Sequence, residues 1–230
     1  MTSFASKKEF FGGLAMLVGF VMVFGLMLLP AFDGENFLNY MDDLYNSISK
    51  GSAYFIPDLA EEAAEFDGRE VSVTLAMERE DLAQGAATIL GKGGVVARAT
   101  GTDVVVEGDL GAILKHALAD SDAMFANEGD KLKKRYGYEG KEALFVWWSA
   151  LKAMDKDLKR QEMFAEAKFV GTVNSKAVEC SYNYYGVTPE KIIDKVFFVI
   201  MSLLAYVLYT LWYGFAIMFM FEGWGLRLSH

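Results

Sequence analysis

Two histidines, one cysteine and a scatter of carboxylates are what the chain offers to polar chemistry. His116 stands among apolar neighbours at helical spacing, and His230 is the last residue, so no imidazole pair has a metal-binding or catalytic spacing. A lone Cys180 excludes an intrachain disulfide, a CxxCH haem attachment and Cys/His zinc spacing, and it reads as a small, partly buried thiol. GxSxG, HExxH and Walker patterns are missing. Gly91-Lys92-Gly93-Gly94 lacks the Gly-Lys-Ser/Thr ending of a phosphate loop and falls where glycine ordinarily stops a helix. The acidic segment 33–67 sets nine carboxylates against Lys50, and Asp42-Asp43 or Glu61-Glu62-Glu65 could meet a hard cation; such runs are ordinarily solvated faces. The basic run Lys131–Arg135 reads as a solvated helix face, with a phosphate or partner contact as the sharper alternative. These residues predict no enzyme, no cofactor and no metal.

Hydroxyls and indoles carry more information. The run from Val196 to Phe221 holds no Asp, Glu, Lys, Arg or His. As a helix it is roughly 39 Å long, against about 30 Å for a hydrocarbon core. Inside it Ser202, Tyr206, Tyr209 and Tyr213 fall within roughly 40° of one direction, with Thr210 beside them. A hydroxyl facing hydrocarbon is left unpaired, so the stripe should face protein. It is expected to dock on another membrane subunit or a further copy of the chain. The alternative is packing on the chain's own first span, with the hydroxyls bonded to backbone carbonyls. Trp147 and Trp148 point about 100° apart on a helix, so one of them is a candidate for partner or membrane contact.

The elements that must position these residues begin with a second uncharged run, Phe10–Phe32, behind Lys7 and Lys8. It is longer than a signal-peptide core and ends Leu-Leu-Pro-Ala-Phe, so it reads as an anchor. Gly12, Ala15 and Gly19 share a face suited to close helix packing. Lysines before this span and Asp33, Glu35, Asp42 and Asp43 after it place the N-terminus in the cytoplasm; the second span returns the chain to Arg227 on the same side. The expected organisation is a cytoplasmic tail 1–9, span 10–32, an extracytoplasmic (periplasmic) domain 33–188, a second span 189–222 with its first turn outside, and a tail 223–230.

Of the formal net charge of −9, the middle supplies more than all: 33–188 carries 17 basic and 27 acidic residues. Polyanions repel one another, so nucleic acid is not an expected partner, and anionic lipid is disfavoured as a bed for this domain. Periodicity predicts a helix over Glu35–Ser49 stopped by Gly51, a helix after Pro57, a strand Glu70–Met77 and a helix Glu78–Leu90. A hairpin about Gly101-Thr102 follows, then an Asp109-capped helix to about Phe125. Beyond it are a long helix from Glu139 to about Glu166, a final strand Lys168–Val173, a tyrosine-rich connection Ser181–Gly186, and a closing helix capped by Thr188 with Pro189 at its first position. The fold class is α+β: a small, mostly antiparallel sheet with packed helices, flanked by two transmembrane helices.

A two-span protein of the bacterial inner (plasma) membrane follows as the expectation. Tails of about nine residues offer no cytoplasmic output domain, and one polar stripe does not line a pore. The expected role is an accessory or scaffolding subunit whose external domain covers or stabilises a larger membrane complex or recruits a partner. The alternative is an extracytoplasmic ligand-binding module that signals through another protein.

Overall fold

The computed structural model describes residues 5–32 and 34–226. Asp33, one of the acids expected to follow the first span, Arg227 and His230 lie outside the described residues. Two compact units emerge, Met1–Gly51 with Pro189–His230, and Ser52–Thr188. The fold is mixed but helix-dominant, with a three-stranded antiparallel sheet and two helices long and apolar enough to cross a membrane.

In the first unit, α1 (Lys7–Met27) runs antiparallel to α10 (Ile192–Trp224), and α2 (Phe37–Ser52) joins them. Helix α1 opens on Ser6, whose side chain accepts from the Glu9 amide at 3.4 Å. It ends five residues short of the expected Phe32, because Pro30 has no amide to continue it. The chain turns there instead, through a short bridge between Phe32 and Glu35. Gly51 does not stop α2, which continues to Ser52. Its missing side chain admits another backbone segment: a Cβ there would lie 2.5 Å from the Glu190 carbonyl oxygen. The Glu190 amide donates to the Ser47 carbonyl at 3.0 Å, Thr188-Pro189-Glu190 lies outside any helix, and α10 starts at Ile192, later than expected.

The second unit builds on the sheet order β1-β3-β2, with β1 Glu70–Ala76, β2 Val96–Thr100 and β3 Asp103–Asp109. Pairing of Thr100 with Asp103 closes the hairpin at Gly101, whose φ of +61° glycine adopts without penalty. Val71, Val73, Leu75, Val104 and Val106 are buried, so one face carries the core and the other is left open. Helices α3 (Ile56–Ala63), α4 (Glu80–Lys92), α5 (Leu110–Phe125), α6 (Gly129–Tyr136) and α7 (Gly140–Arg160) complete it with α8 (Phe164–Val173) and α9 (Cys180–Tyr184). Asp109 caps α5 by accepting from the Gly111 amide at 2.9 Å.

Two expectations for the second unit are overturned. The long helix from Glu139 breaks at Gln161–Met163: the amides of Glu162 and Met163 close back on Lys159 and Leu158, with Glu162 at φ +62°. That is a Schellman ending without glycine. Asp157 and Gln161 hold this end against β1, accepting from the Thr74 amide at 3.1 Å and donating to the Ser72 carbonyl at 2.9 Å. They occupy backbone groups of a strand edge that would otherwise be open. The expected strand Lys168–Val173 is helix α8, prolonged by a π-helical segment Asn174–Glu179 into α9. Glu166, Val170, Val173 and Ala177 are all buried at helical spacing, a period that overrides the β propensity of Val and Thr in so short a run.

Candidate functional site

The packing of α1 on α10 fixes the environment of the hydroxyl stripe. Gly13 meets the Ala216–Met220 turn so closely that a Cβ would lie 2.6 Å from the Ala216 oxygen. Gly19 lies against the Trp212 ring, and the Trp212 indole donates to the Met16 carbonyl at 3.0 Å. Gly12 and Ala15 are exposed, with nothing within 4 Å of a Cβ at Gly12. The stripe itself divides three ways. Ser202 donates to its own helix at the Val199 carbonyl (2.8 Å) and therefore accepts from the Tyr45 hydroxyl of α2 (2.6 Å). Tyr209 and Tyr213 lay their rings on Phe20, at centroid distances of 4.1 and 5.2 Å. Tyr206 is 69% exposed. The Tyr209 hydroxyl is shielded from solvent and has no hydrogen-bond partner in the structure.

Between α1, α2 and α10 lies an open groove of about 810 Å³ lined by Phe24, Met27, Met41, Tyr45, Tyr206 and Trp212. Its size falls within the roughly 300–1,000 Å³ of ligand clefts. Apolar side chains dominate its lining.

The second unit gathers its ionisable groups elsewhere, at a node linking α5, α6 and α7. Asp120 is fully buried and its carboxylate accepts from the Trp147 indole at 2.8 Å, from the Tyr136 hydroxyl and from Arg135. His116, one turn before Asp120, has its Nε2 2.5 Å from the Tyr136 hydroxyl. The phenol's single proton goes to Asp120, so its oxygen accepts and His116 carries its proton on Nε2. Burial is the main cause holding the His116 pKa below its ordinary value; Asp120 pulls it up and Arg135 down. Burial, then the bond to Asp120, pushes the Tyr136 pKa well up. The chain of donors is a proton relay in form.

A neutral, half-buried imidazole makes a definite prediction. Because the folded pKa lies below the unfolded value of about 6.5, the folded state binds the proton less well, so its stability is lost as pH falls from that value through the folded pKa. Hydrogen exchange of α5 in the full chain should show a fall in opening free energy between neutral and mildly acidic pH. His116→Gln should flatten that fall; an identical slope in both proteins would exclude His116 as its source.

Trp147 is fully buried, whereas its neighbour Trp148 is half-buried and stacks on Phe145 with centroids 5.8 Å apart. Trp148, Phe145, Tyr182 and Glu179 line a shallow cleft of about 220 Å³. Lys131, Lys133 and Lys134 of the basic run are exposed, and the run continues into Arg135 at the buried node. The Gly91–Gly94 segment ends α4. Cys180 is half-buried. Among the described residues no three His, Cys, Asp or Glu side chains converge as metal ligands.

Asp120, Tyr136, Tyr45, Trp212 and Gly13 were not singled out by sequence reasoning. A carboxylate one turn from a histidine, amid Ile113, Leu114, Ala117 and Leu118, was the signal available for the node.

These features define a class, a two-unit chain pairing long apolar helices with a compact helix-rich domain on a three-stranded sheet. No family model, curated protein or solved structure matches the chain.

Proposed function

We propose that the chain is a two-span membrane protein acting as an accessory or scaffolding subunit of a larger membrane complex, its 52–188 unit standing outside the cytoplasm. In this role it stabilises or covers the complex, or recruits a partner, and it catalyses nothing itself. The observation that carries the reading is how little of the apolar helices the protein itself covers. Only 6% of the most apolar window of α1 is buried, and 0% of that of α10. The core helix of a water-soluble domain would be mostly buried, and water does not tolerate two such surfaces. Lipid and neighbouring helices can cover them. At roughly 50 Å, α10 also outreaches a bilayer's hydrocarbon core of about 30 Å.

Within α10, the exposed Tyr206 supports a protein neighbour rather than lipid alone. It lies near the middle of the uncharged run, where acyl chains offer no acceptor. Its hydroxyl is used in none of the intrachain contacts described above, whereas Ser202, Thr210 and Trp212 all reach backbone or hydroxyl acceptors within the chain. Extraction in mild detergent followed by native mass analysis should yield a stoichiometric complex; a lone monomer would overturn the proposal. Tyr206→Phe removes only an exposed hydroxyl, and Tyr209→Phe, which keeps the ring on Phe20 and removes a shielded one, is the control. At about 0.6–2 kcal/mol for an interhelical hydrogen bond, Tyr206→Phe should weaken association several-fold or more and Tyr209→Phe should not. Unchanged association would return the stripe to packing within the chain.

A further inference from the structure

The 52–188 unit is acidic as a whole, yet around α7 and the π segment it sets cations beside aromatic rings. Three lysines there each stand over an exposed or half-buried aromatic ring. Lys152 is 4.5 Å from the Trp148 ring centroid, Lys141 is 5.3 Å from that of Tyr182, and Lys176 is 5.5 Å from that of Phe55. The rings are not spent on the core: Phe55 is 42% exposed, Phe145 39% and Tyr182 37%. Sequence spacing explains the alignment. Lys141, Phe145, Trp148 and Lys152 follow one another at helical intervals along α7, while Lys176, Glu179 and Tyr182 do so along the π segment and α9. The Asn174 side chain ties the two rows together by donating to the Trp148 carbonyl at 3.2 Å.

We propose that this surface, Phe145, Trp148 and Tyr182 flanked by Lys141, Lys152 and Lys176, seats on the headgroup layer of a bilayer containing anionic phospholipid. Tryptophan and tyrosine favour that layer because the ring is apolar and one edge is wet. Lysine stems lie along apolar surface while their ammonium groups reach phosphate. Charge complementarity selects this occupant. Glu179 is the single carboxylate lining the cleft, and screening confines each charge to about 10 Å, so the acidity of distant faces does not oppose docking. The inference rests on the proposed placement of α1 and α10 in a bilayer, which tethers the domain at both ends. Tethering turns a weak surface affinity into an intramolecular equilibrium.

The test uses the full chain with Cys180→Ser and a nitroxide on Ser149→Cys, a half-buried position on α7 beside the rings. The chain is reconstituted in phosphatidylcholine vesicles with and without phosphatidylglycerol, and label collisions with oxygen and with a water-soluble nickel chelate are compared. Docking predicts oxygen-dominated collisions only when phosphatidylglycerol is present. One lysine near an anionic surface strengthens association about fivefold. Replacing Lys141, Lys152 and Lys176 by Gln should therefore lower the docked-to-free ratio by roughly 100-fold. A water-exposed label in both lipids overturns the proposal. So does shielding that ignores anionic lipid, and so does shielding found only in native membranes, which would indicate an acidic protein partner. A chain that alkaline carbonate strips from the vesicles would instead defeat the membrane placement itself.

Discussion

Asp120→Ala is expected to destabilise the 52–188 unit by about 3–5 kcal/mol, the range for removing one partner of a buried charged network. The residue is fully buried and serves the Trp147 indole, the Tyr136 hydroxyl and Arg135 at once. Alanine leaves the Trp147 indole without an acceptor, fully buried and unable to turn to water, and forces the Tyr136 hydroxyl onto His116. Domains are stable by only about 5–15 kcal/mol, so the loss is a large part of the total. Asp120→Asn should fall between: its carbonyl can still accept from Tyr136 or Trp147, while its amide presents protons to Arg135 where the carboxylate presented a lone pair. Hydrogen exchange over α5, α6 and α7 in the full chain would measure both, with α1 and α10 as internal controls. A change within about 0.5 kcal/mol, typical of surface sites, would show that the node does not hold the three helices together.

The contrast between that node and the sheet shows what a linear sequence can convey. The hairpin at Gly101 and the Asp109 cap are legible because each is settled by neighbours within a few residues, and β1 because its alternation is local even though its partner β3 is distant. Asp120 meets its partners only when α5, α6 and α7 converge, and Tyr136 and Trp147 lie 16 and 27 residues further along. Local readings also failed where tertiary contacts outweigh propensity. Lys168–Val173 reads as a strand by composition, yet its valines are buried at a helical period shared with Glu166 and Ala177. The end of α7 has no Gly or Pro to announce it, because Asp157 and Gln161 make it by reaching across to β1. Glycine spacing in α1 identified small-residue packing but not its rotation: a helix apolar on every side carries no amphipathic direction to set which glycine faces inward.

That rotation is open to a test by two substitutions one residue apart. Gly13→Leu should force α1 and α10 apart, because its side chain would meet the Ala216 carbonyl and the Met220 amide, backbone atoms that cannot rotate aside. Overpacking a tight contact costs about 1–3 kcal/mol when side chains can adjust, and here the neighbours are fixed. Gly12→Leu adds the same side chain where nothing lies within 4 Å, so helix propensity alone predicts a neutral or slightly favourable effect. The Trp212 indole reports the difference, since its proton is held by the Met16 carbonyl only while the helices touch. In nitrogen-15-labelled full chain, exchange of that indole proton should accelerate with Gly13→Leu and stay slow with Gly12→Leu. The reverse pattern would place Gly12, rather than Gly13, at the contact with α10. Equal protection in both would mean that the Trp212 bond, rather than glycine packing, sets the approach of the helices.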